Sequence, residues 1–285
     1  MQIKCCKIMT ECRICRDPVV HAFNAVALKK YPFEALICAK CGLLQIANPH
    51  WLKEAYGDAI AEADTGLVMR NIGLAQQITP LLYHIFQTNG SYVDYAGGTG
   101  LFVRLMRDAG FDFLWHDPYC ENIHARGFEY TAHTMKTNAV TAFEVLEHVL
   151  DPISLIRDSM QDANADLFIC TTQLFGGAPP DPKTWWYYAF NAGQHISFYQ
   201  YKTLKKISEL LGLHFFSNGT IHLFYTAPYL KKIGSYFNYK IVRKIAARNA
   251  LHHLKSKTME DHLRIIENMK GAPMTSTYKT TSVPR

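Results

Sequence analysis

The sequence predicts an α/β protein. The expected architecture is a doubly wound, mostly parallel seven-stranded sheet, with a small cysteine-bearing ribbon before it and a basic helix after it. Three observations carry this reading. Between residues 91 and 172, short runs rich in Val, Phe and Tyr alternate with runs whose apolar residues recur at helical spacing. That alternation is how parallel strands joined by crossover helices read. The stretch VDYAGGTGLF (93–102) passes from a strand through a glycine-rich turn into the start of a helix. Four cysteines fall early, as two CxxC pairs, CRIC and CAKC.

The 285 residues allow one large domain or two small ones. No run approaches the ~20 apolar residues that span a bilayer. The start, MQIKCCKIMTECR, lacks an apolar signal core, so the chain is expected to stay in the cytoplasm with its eight cysteines as thiols or metal ligands. The net charge of +6 is unevenly placed: between Tyr229 and Lys257 there are eight Lys/Arg and no Asp or Glu.

Cys12 and Cys15 are separated from Cys38 and Cys41 by 22 residues. Each CxxC turn can aim two thiolates at one ion, and Gly42 lets the chain fold back behind the second pair. Four thiolates at about 2.3 Å make a closed tetrahedral zinc site, which is structural because no position is left for a substrate. Residues 1–50 therefore read as a zinc ribbon; Cys5 and Cys6 are not expected to contribute. Residues 50–65 read as a connector. Leu67, Met69, Ile72, Leu74, Ile78, Leu81, Leu82 and Ile85 then recur at helical spacing until Thr88, Asn89 and Gly90 end the helix.

The alternating series follows. Strands are expected at 91–96, 111–117, 128–132, 139–146 and 165–172, with helices at 100–110, 121–126 and 151–160. The last of these has Asp151 at its N-cap and Pro152 in its first turn. Residues 173–194, rich in Pro, Gly and aromatics, are too long for an ordinary connection and read as a loop over a site. A helix over 201–213 and a hairpin over 214–227, turning at Ser217-Asn218-Gly219, complete the series. The segment from 229 to 270 reads as basic and amphipathic, with Ile233, Tyr236, Phe237, Ile241, Ile245 and Leu251 on one stripe. Residues 271–285 read as a disordered tail.

In an open parallel sheet, ligands bind beyond the carboxyl ends of the strands. Gly97, Gly98 and Gly100 let the backbone approach a ligand there, and Asp94 can orient turn amides or reach a cationic group. A nicotinamide dinucleotide calls for GxGxxG, and AGGTG followed by Leu101 and Phe102 does not supply it. S-adenosylmethionine carries no phosphate and needs less from a helix N-terminus. It does need a ribose acceptor, and Asp117, 23 residues beyond Asp94 at the end of the next strand, stands where one belongs.

VDYAGGTG, HDPY, TAFEVLEHVLDP and QHISFYQYKTL, in this order, resemble a class I S-adenosylmethionine-dependent methyltransferase over roughly residues 66–227. With the four-cysteine ribbon in front, the chain is similar to the zinc-ribbon methyltransferases that include the deoxysugar C-methyltransferases, but it lacks their C-terminal α/β domain. The resemblance implies a Rossmann-like methyltransferase domain over 51–228. It places the cofactor on Asp94, Ala96, Gly97, Gly98, Gly100, Asp117, Pro118, Phe143 and Glu144. Two positions depart from the family pattern. Ala96 stands where the family's first turn glycine belongs, which alanine suits if its φ stays negative. Asn138 stands where an acidic residue often begins the fourth strand.

Methyl transfer requires alignment of nucleophile, methyl and sulfur, and a hydroxyl or enolisable carbon must also lose a proton. His195, in GQHISFY, matches the family's proposed base, although Gln194 replaces the carboxylate that precedes it there. His148 is the second candidate. Each has a structural alternative, a ring simply bonded to main chain. Trp185, Trp186, Tyr187 and Tyr188 can form an aromatic wall for an acceptor or pack the loop. The family also places a lid at Tyr56. The function expected is methyl transfer to a small-molecule or glycan acceptor such as a sugar. RNA methylation and a non-catalytic binding module are the alternatives. Residues 229–257 could lie on the inner face of an anionic membrane, grip nucleic acid, or dock on their own domain.

Overall fold

The computed structural model describes residues 11–57, 64–132 and 136–271. Cys5, Cys6, part of the 50–65 connector and the tail from 272 lie outside them. Strands β1 (Val19–Ala27), β2 (Tyr31–Cys38) and β3 (Leu44–Ile46) form an antiparallel meander. A single turn of helix, α1 (Leu52–Ala55), follows, and then the long helix α2 (Leu67–Phe86). The alternating part is β4 (Ser91–Tyr95), α3 (Leu101–Asp108), β5 (Asp112–His116), β6 (Ala139–Phe143), α4 (Pro152–Asp162) and β7 (Leu167–Thr171). After the aromatic loop come β8 (Ser197–Phe198), α5 (Tyr201–Leu211), β9 (His214–Ser217) and β10 (Ile221–Tyr225). Helices α6 (Leu230–Asn238), α7 (Lys240–His253) and α8 (Thr258–Gly271) end the described chain.

Among the described residues the main sheet has six strands, in the order β5-β4-β6-β7-β10-β9, where seven were expected. β5, β4, β6 and β7 are parallel, while β10 runs antiparallel to both of its neighbours. The expected strand over 128–132 is reduced to one parallel bridge, Trp115 with Glu129, at the sheet edge. The expected helix over 121–126 is absent. Asn122 holds that stretch as a turn, accepting from the Ala125 amide at 2.9 Å and donating to the Ala125 carbonyl at 2.8 Å. A side chain that bonds its own backbone competes with the helix for those groups.

Other elements follow their local signals. Asp151 accepts from the Ser154 amide at 3.0 Å and starts α4. In the β9–β10 turn, Asn218 accepts from the amides of Thr220 and Ile221, and Gly219 takes φ +96°. The two faces of the main sheet carry separate cores. Leu74, Ile78, Val103, Met106, Ile233 and Ala246 bring α2, α3, α6 and α7 onto one face. Ile156, Met160, Leu204 and Ile207 bring α4 and α5 onto the other, where the cysteine knuckles also pack. A third core joins the meander to the aromatic loop through Phe33, Trp51, Tyr187, Tyr188 and Phe198.

The N-terminal meander shares its sheet with the following region. β8 adds to β3 as a fourth strand, with Leu44 opposite Phe198 and Gln45 opposite Ser197. The basic segment also differs from expectation. Ile233 and Tyr236 are buried, but Ile241, Ile245 and Leu251 are exposed. Tyr239, extended between α6 and α7, resets the helical phase, so one apparent stripe becomes two faces.

Arg107 and Asp261 clasp α8 to the sheet domain. Both are buried, at 1% and 2% exposure, and the Arg107 Nη2 and Asp261 Oδ1 atoms lie 2.7 Å apart. The guanidinium also covers the Phe128 ring at 3.7 Å. Removing one partner strands a buried charge. Asp261→Ala is expected to lower the free energy of urea unfolding by about 3 kcal/mol.

His222 on β10 is fully buried. Its Nδ1 lies 2.8 Å from the Ser217 hydroxyl and its Nε2 lies 3.1 Å from the Thr172 carbonyl. Burial lowers its pKa from 6.5 to about 4. Between those values the unfolded chain binds the proton that the folded chain refuses, so stability falls as pH falls through this window. In urea titrations from pH 7 to 4, His222→Gln is expected to flatten the loss of stability below pH 6.5.

Candidate functional site

At the carboxyl ends of β4 and β6 the main chain opens a cavity of about 490 Å³. Both strands end on residues in the left-handed region, Ala96 at φ +55° and Glu144 at φ +53°. Ala96 therefore does not keep the negative φ that its tolerance was expected to require. The turn retains the glycine-type backbone and accepts the cost of a Cβ, roughly 1 kcal/mol. Gly98 follows at φ +54°, and a Cβ built on it would meet nothing within 4 Å. That open space is the cavity itself. Gly100, at φ +83°, is different: its Cβ would lie 2.6 Å from Asn122 Oδ1.

The cavity is lined on the turn side by Asp94, Ala96, Gly97, Gly98, Phe102, Phe143 and Glu144. Of the nine residues expected to hold the cofactor, Gly100, Asp117 and Pro118 are not in this lining. Asp117 lies just past β5 and is half-buried. Its Oδ2 accepts from the Gly98 amide at 2.9 Å, and its Oδ1 accepts from Tyr119 and Cys120 at 2.7 and 3.0 Å. Asp94 is buried and accepts from the Thr141 hydroxyl at 2.6 Å, while burial raises its pKa to about 7.

His148, Trp186, Tyr187, Gln194 and His195 line the opposite side. His195 presents Nδ1 to the Tyr187 carbonyl at 2.6 Å. A carbonyl only accepts, so Nδ1 carries the hydrogen and Nε2 keeps its lone pair. The His148 ring lies 4.7 Å from that of His195, nearly perpendicular, with the Tyr56 hydroxyl 3.2 Å from its Nδ1. Burial, and then His195, push the His148 pKa down to about 3. Tyr56 thus contacts a site histidine. The aromatic quartet divides: Trp186, 76% exposed, and Tyr187 face the cavity. Trp185 and Tyr188 instead pack edge to face at 4.7 Å in the third core.

Sequence reasoning missed Arg70 and Asp64, which line the cavity as an ion pair at 2.6 Å. Arg70, on the first turn of a helix read only for its apolar face, was the available signal. It also missed Glu147, which follows the motif's Glu144 by three residues. Glu147 is fully buried, and its Oε1 accepts from the Tyr187 hydroxyl at 2.6 Å. Glu144 is raised to about 7 by burial and by Glu147.

The four sulfurs of Cys12, Cys15, Cys38 and Cys41 lie within 4.8 Å of one another. The Ile14 amide donates to Cys12 at 3.4 Å and the Cys41 amide to Cys38 at 3.5 Å, as amides do to thiolates around an ion. The donor set and its burial fit a structural zinc ion.

A Rossmann-like α/β sheet with a glycine turn and a cavity at its strand ends defines the class of protein. The chain matches the family model described as "Methyltransferase domain" over residues 70–218, more than half its length. It belongs to that family. No curated protein matches it. Among solved structures it is similar to CalO1, a methyltransferase in calicheamicin biosynthesis in SAH-bound form, at 12% identity over 61% of each chain, with a TM-score of 0.41. An O-methyltransferase family protein from Burkholderia thailandensis is 11% identical over 62% of this chain and 63% of that one, with a TM-score of 0.44. Magnesium protoporphyrin IX methyltransferase from Synechocystis PCC 6803, with bound SAH, is 13% identical over 60% of this chain and 90% of that one, with a TM-score of 0.40. The matched region thus spans about three fifths of the first two relatives' length.

The turn geometry makes its own prediction. Gly100→Ala is expected to cost about 2 kcal/mol in urea unfolding, from a strained φ and a steric overlap. Gly98→Ala is expected to cost about 1 kcal/mol, from the backbone alone.

Proposed function

We propose that the protein transfers a methyl group from S-adenosylmethionine to a hydroxyl-bearing small molecule or glycan such as a sugar. The observation that carries this is the Gly98 turn, whose backbone opens onto the cavity beside the buried Asp94 and opposite an unshared histidine lone pair. The cofactor's amino-acid end suits Asp94 and the turn amides. Asp117 fixes the turn through the Gly98 amide and offers its remaining lone pair to the ribose. The acceptor enters past Trp186, and His195 assists the loss of its proton. Residues 1–50 form a zinc ribbon that holds the fold, and 51–228 the catalytic domain.

Residues 229–270 form a helical appendix. α7 presents Ile241, Lys244, Ile245, Arg248 and Leu251 outward, a surface suited to the inner face of an anionic membrane and to an acceptor carried there. Among the described residues no helix is long and apolar enough to cross a membrane. RNA methylation is the second reading, favoured only by the positive charge of this same segment.

Calorimetric titration with S-adenosylmethionine tests the proposal. The wild-type chain is expected to bind, and Asp117→Ala to bind at least tenfold more weakly. His195→Ala is expected to retain the affinity and lose 10²–10⁴-fold in transfer rate, roughly the worth of a group that assists proton loss. A folded, zinc-loaded protein that does not bind the cofactor at millimolar concentration rules the function out.

A further inference from the structure

Glu147, His148 and His195 present one ligand atom each, all within 4.8 Å of one another; the two histidines line the cavity and Glu147 is buried beside them. Three features make this more than proximity. First, Glu147 is fully buried, yet its Oε2 has no hydrogen-bond partner among the described residues. An unpaired carboxylate oxygen away from water is costly unless a cation or a donor reaches it. Second, His195 gives its Nδ1 hydrogen to a main-chain carbonyl, which fixes the ring and leaves Nε2 as a donor of electrons. Metal-ligating histidines are held in this way. Third, the remaining groups are already braced. The Tyr187 hydroxyl donates to Glu147 Oε1, and Tyr56 meets the His148 ring at 3.2 Å.

We infer that these three side chains bind a divalent transition-metal ion, separate from the ion of the four cysteines. Two imidazoles and one carboxylate suit Mn²⁺, Fe²⁺, Co²⁺ or Zn²⁺ and leave positions open. Around an ion with bonds of about 2.1 Å, neighbouring ligands lie about 3.0–3.4 Å apart, so side-chain rotations from the observed spacing close the site. Glu144, whose Oε2 lies 3.4 Å from the same Tyr187 hydroxyl, adds a second carboxylate on the cavity side.

The chemistry rests on the methyl-transfer reading of the cavity. His195 then assists proton loss as a ligand, not as the base. An acceptor hydroxyl that reaches the open side of the ion becomes more acidic and gives its proton to solvent. The acceptor oxygen forms its bond to the methyl carbon as the carbon–sulfur bond breaks, and that electron pair stays on sulfur. No oxidation or reduction takes place. The acceptor class named by this site is therefore a hydroxyl compound, and the product is a methyl ether.

The test uses the full chain with its cysteine site filled by zinc. Mn²⁺ is added and free Mn²⁺ is followed by electron paramagnetic resonance, with zinc content and S-adenosylmethionine affinity measured on the same samples. One Mn²⁺ per chain is expected at micromolar affinity. Glu147→Gln, which preserves shape, and His195→Gln are each expected to weaken it at least tenfold, with zinc content and cofactor affinity unchanged. Failure of Mn²⁺, Co²⁺ and added Zn²⁺ to bind a wild-type protein that still binds S-adenosylmethionine overturns the inference and leaves the proposed function standing. Ion binding that both variants retain overturns it as well. Ion binding without cofactor binding would uphold the site and refute the methyltransferase reading.

Discussion

The hydrogen bond from the Tyr187 hydroxyl to Glu147 joins the parts of the site that sequence keeps 40 residues apart. Glu147 sits in a short 3₁₀ turn after β6, and Tyr187 sits in the long aromatic loop after β7. A fully buried carboxylate must be met by donors, and Tyr187 is the side chain that meets Oε1. Because it does so, the Tyr187 carbonyl is fixed where His195 can donate to it. The same bond therefore sets the wall of the cavity and the orientation of its histidine. A loop of this length with a free choice of conformation would define neither.

The cysteine-bearing sheet reaches the same place from the other side. Ile196, next to His195, donates to the Glu147 carbonyl at 2.8 Å and accepts from the Ile46 amide at 3.0 Å. Arg13, between the first two cysteines, also donates to the Ile196 carbonyl and to the Ser197 hydroxyl. The strand that follows the histidine is thus built into the meander. An ion that closes the knuckles also holds Arg13, and through it one flank of the site. The cysteine cluster and one flank of the cavity are thus joined through the β3–β8 pairing.

What could be read from sequence was what short-range physics decides. Asp151 with Pro152, and Asn218 with Gly219, specify a helix start and a hairpin through groups within three residues. The two CxxC pairs specify a cluster because each turn presents its own thiols. What could not be read depends on distant partners. The strand over 128–132 has a suitable composition, but at the sheet edge it makes only one bridge. Trp185 and Tyr188 are no different in kind from Trp186 and Tyr187. Only the core under the meander decides that Trp185, Tyr187 and Tyr188 are taken in while Trp186 stays exposed. Ile241 and Ile245 fit a stripe with Ile233 only if the helix is unbroken, and the extended Tyr239 breaks it. Arg70 and Asp64 face the cavity because α2 packs where it does.

The two sides of the cavity are built by different means, and this constrains how the protein can vary. The turn side is backbone: left-handed residues at the ends of two adjacent parallel strands, locked by ladder hydrogen bonds on both sides. Its shape tolerates Ala96 because the sheet holds φ against the preference of alanine. The opposite side is made of side chains on a loop, fixed at Glu147 and at β8 but free at the exposed Trp186. Substitutions at Trp186 or Asn191 can reshape what enters without touching the ladder, whereas a change at Tyr187 loosens Glu147 and His195 together. The loop side can therefore change shape while the sheet holds the turn, and Tyr187 is the residue at which the two meet.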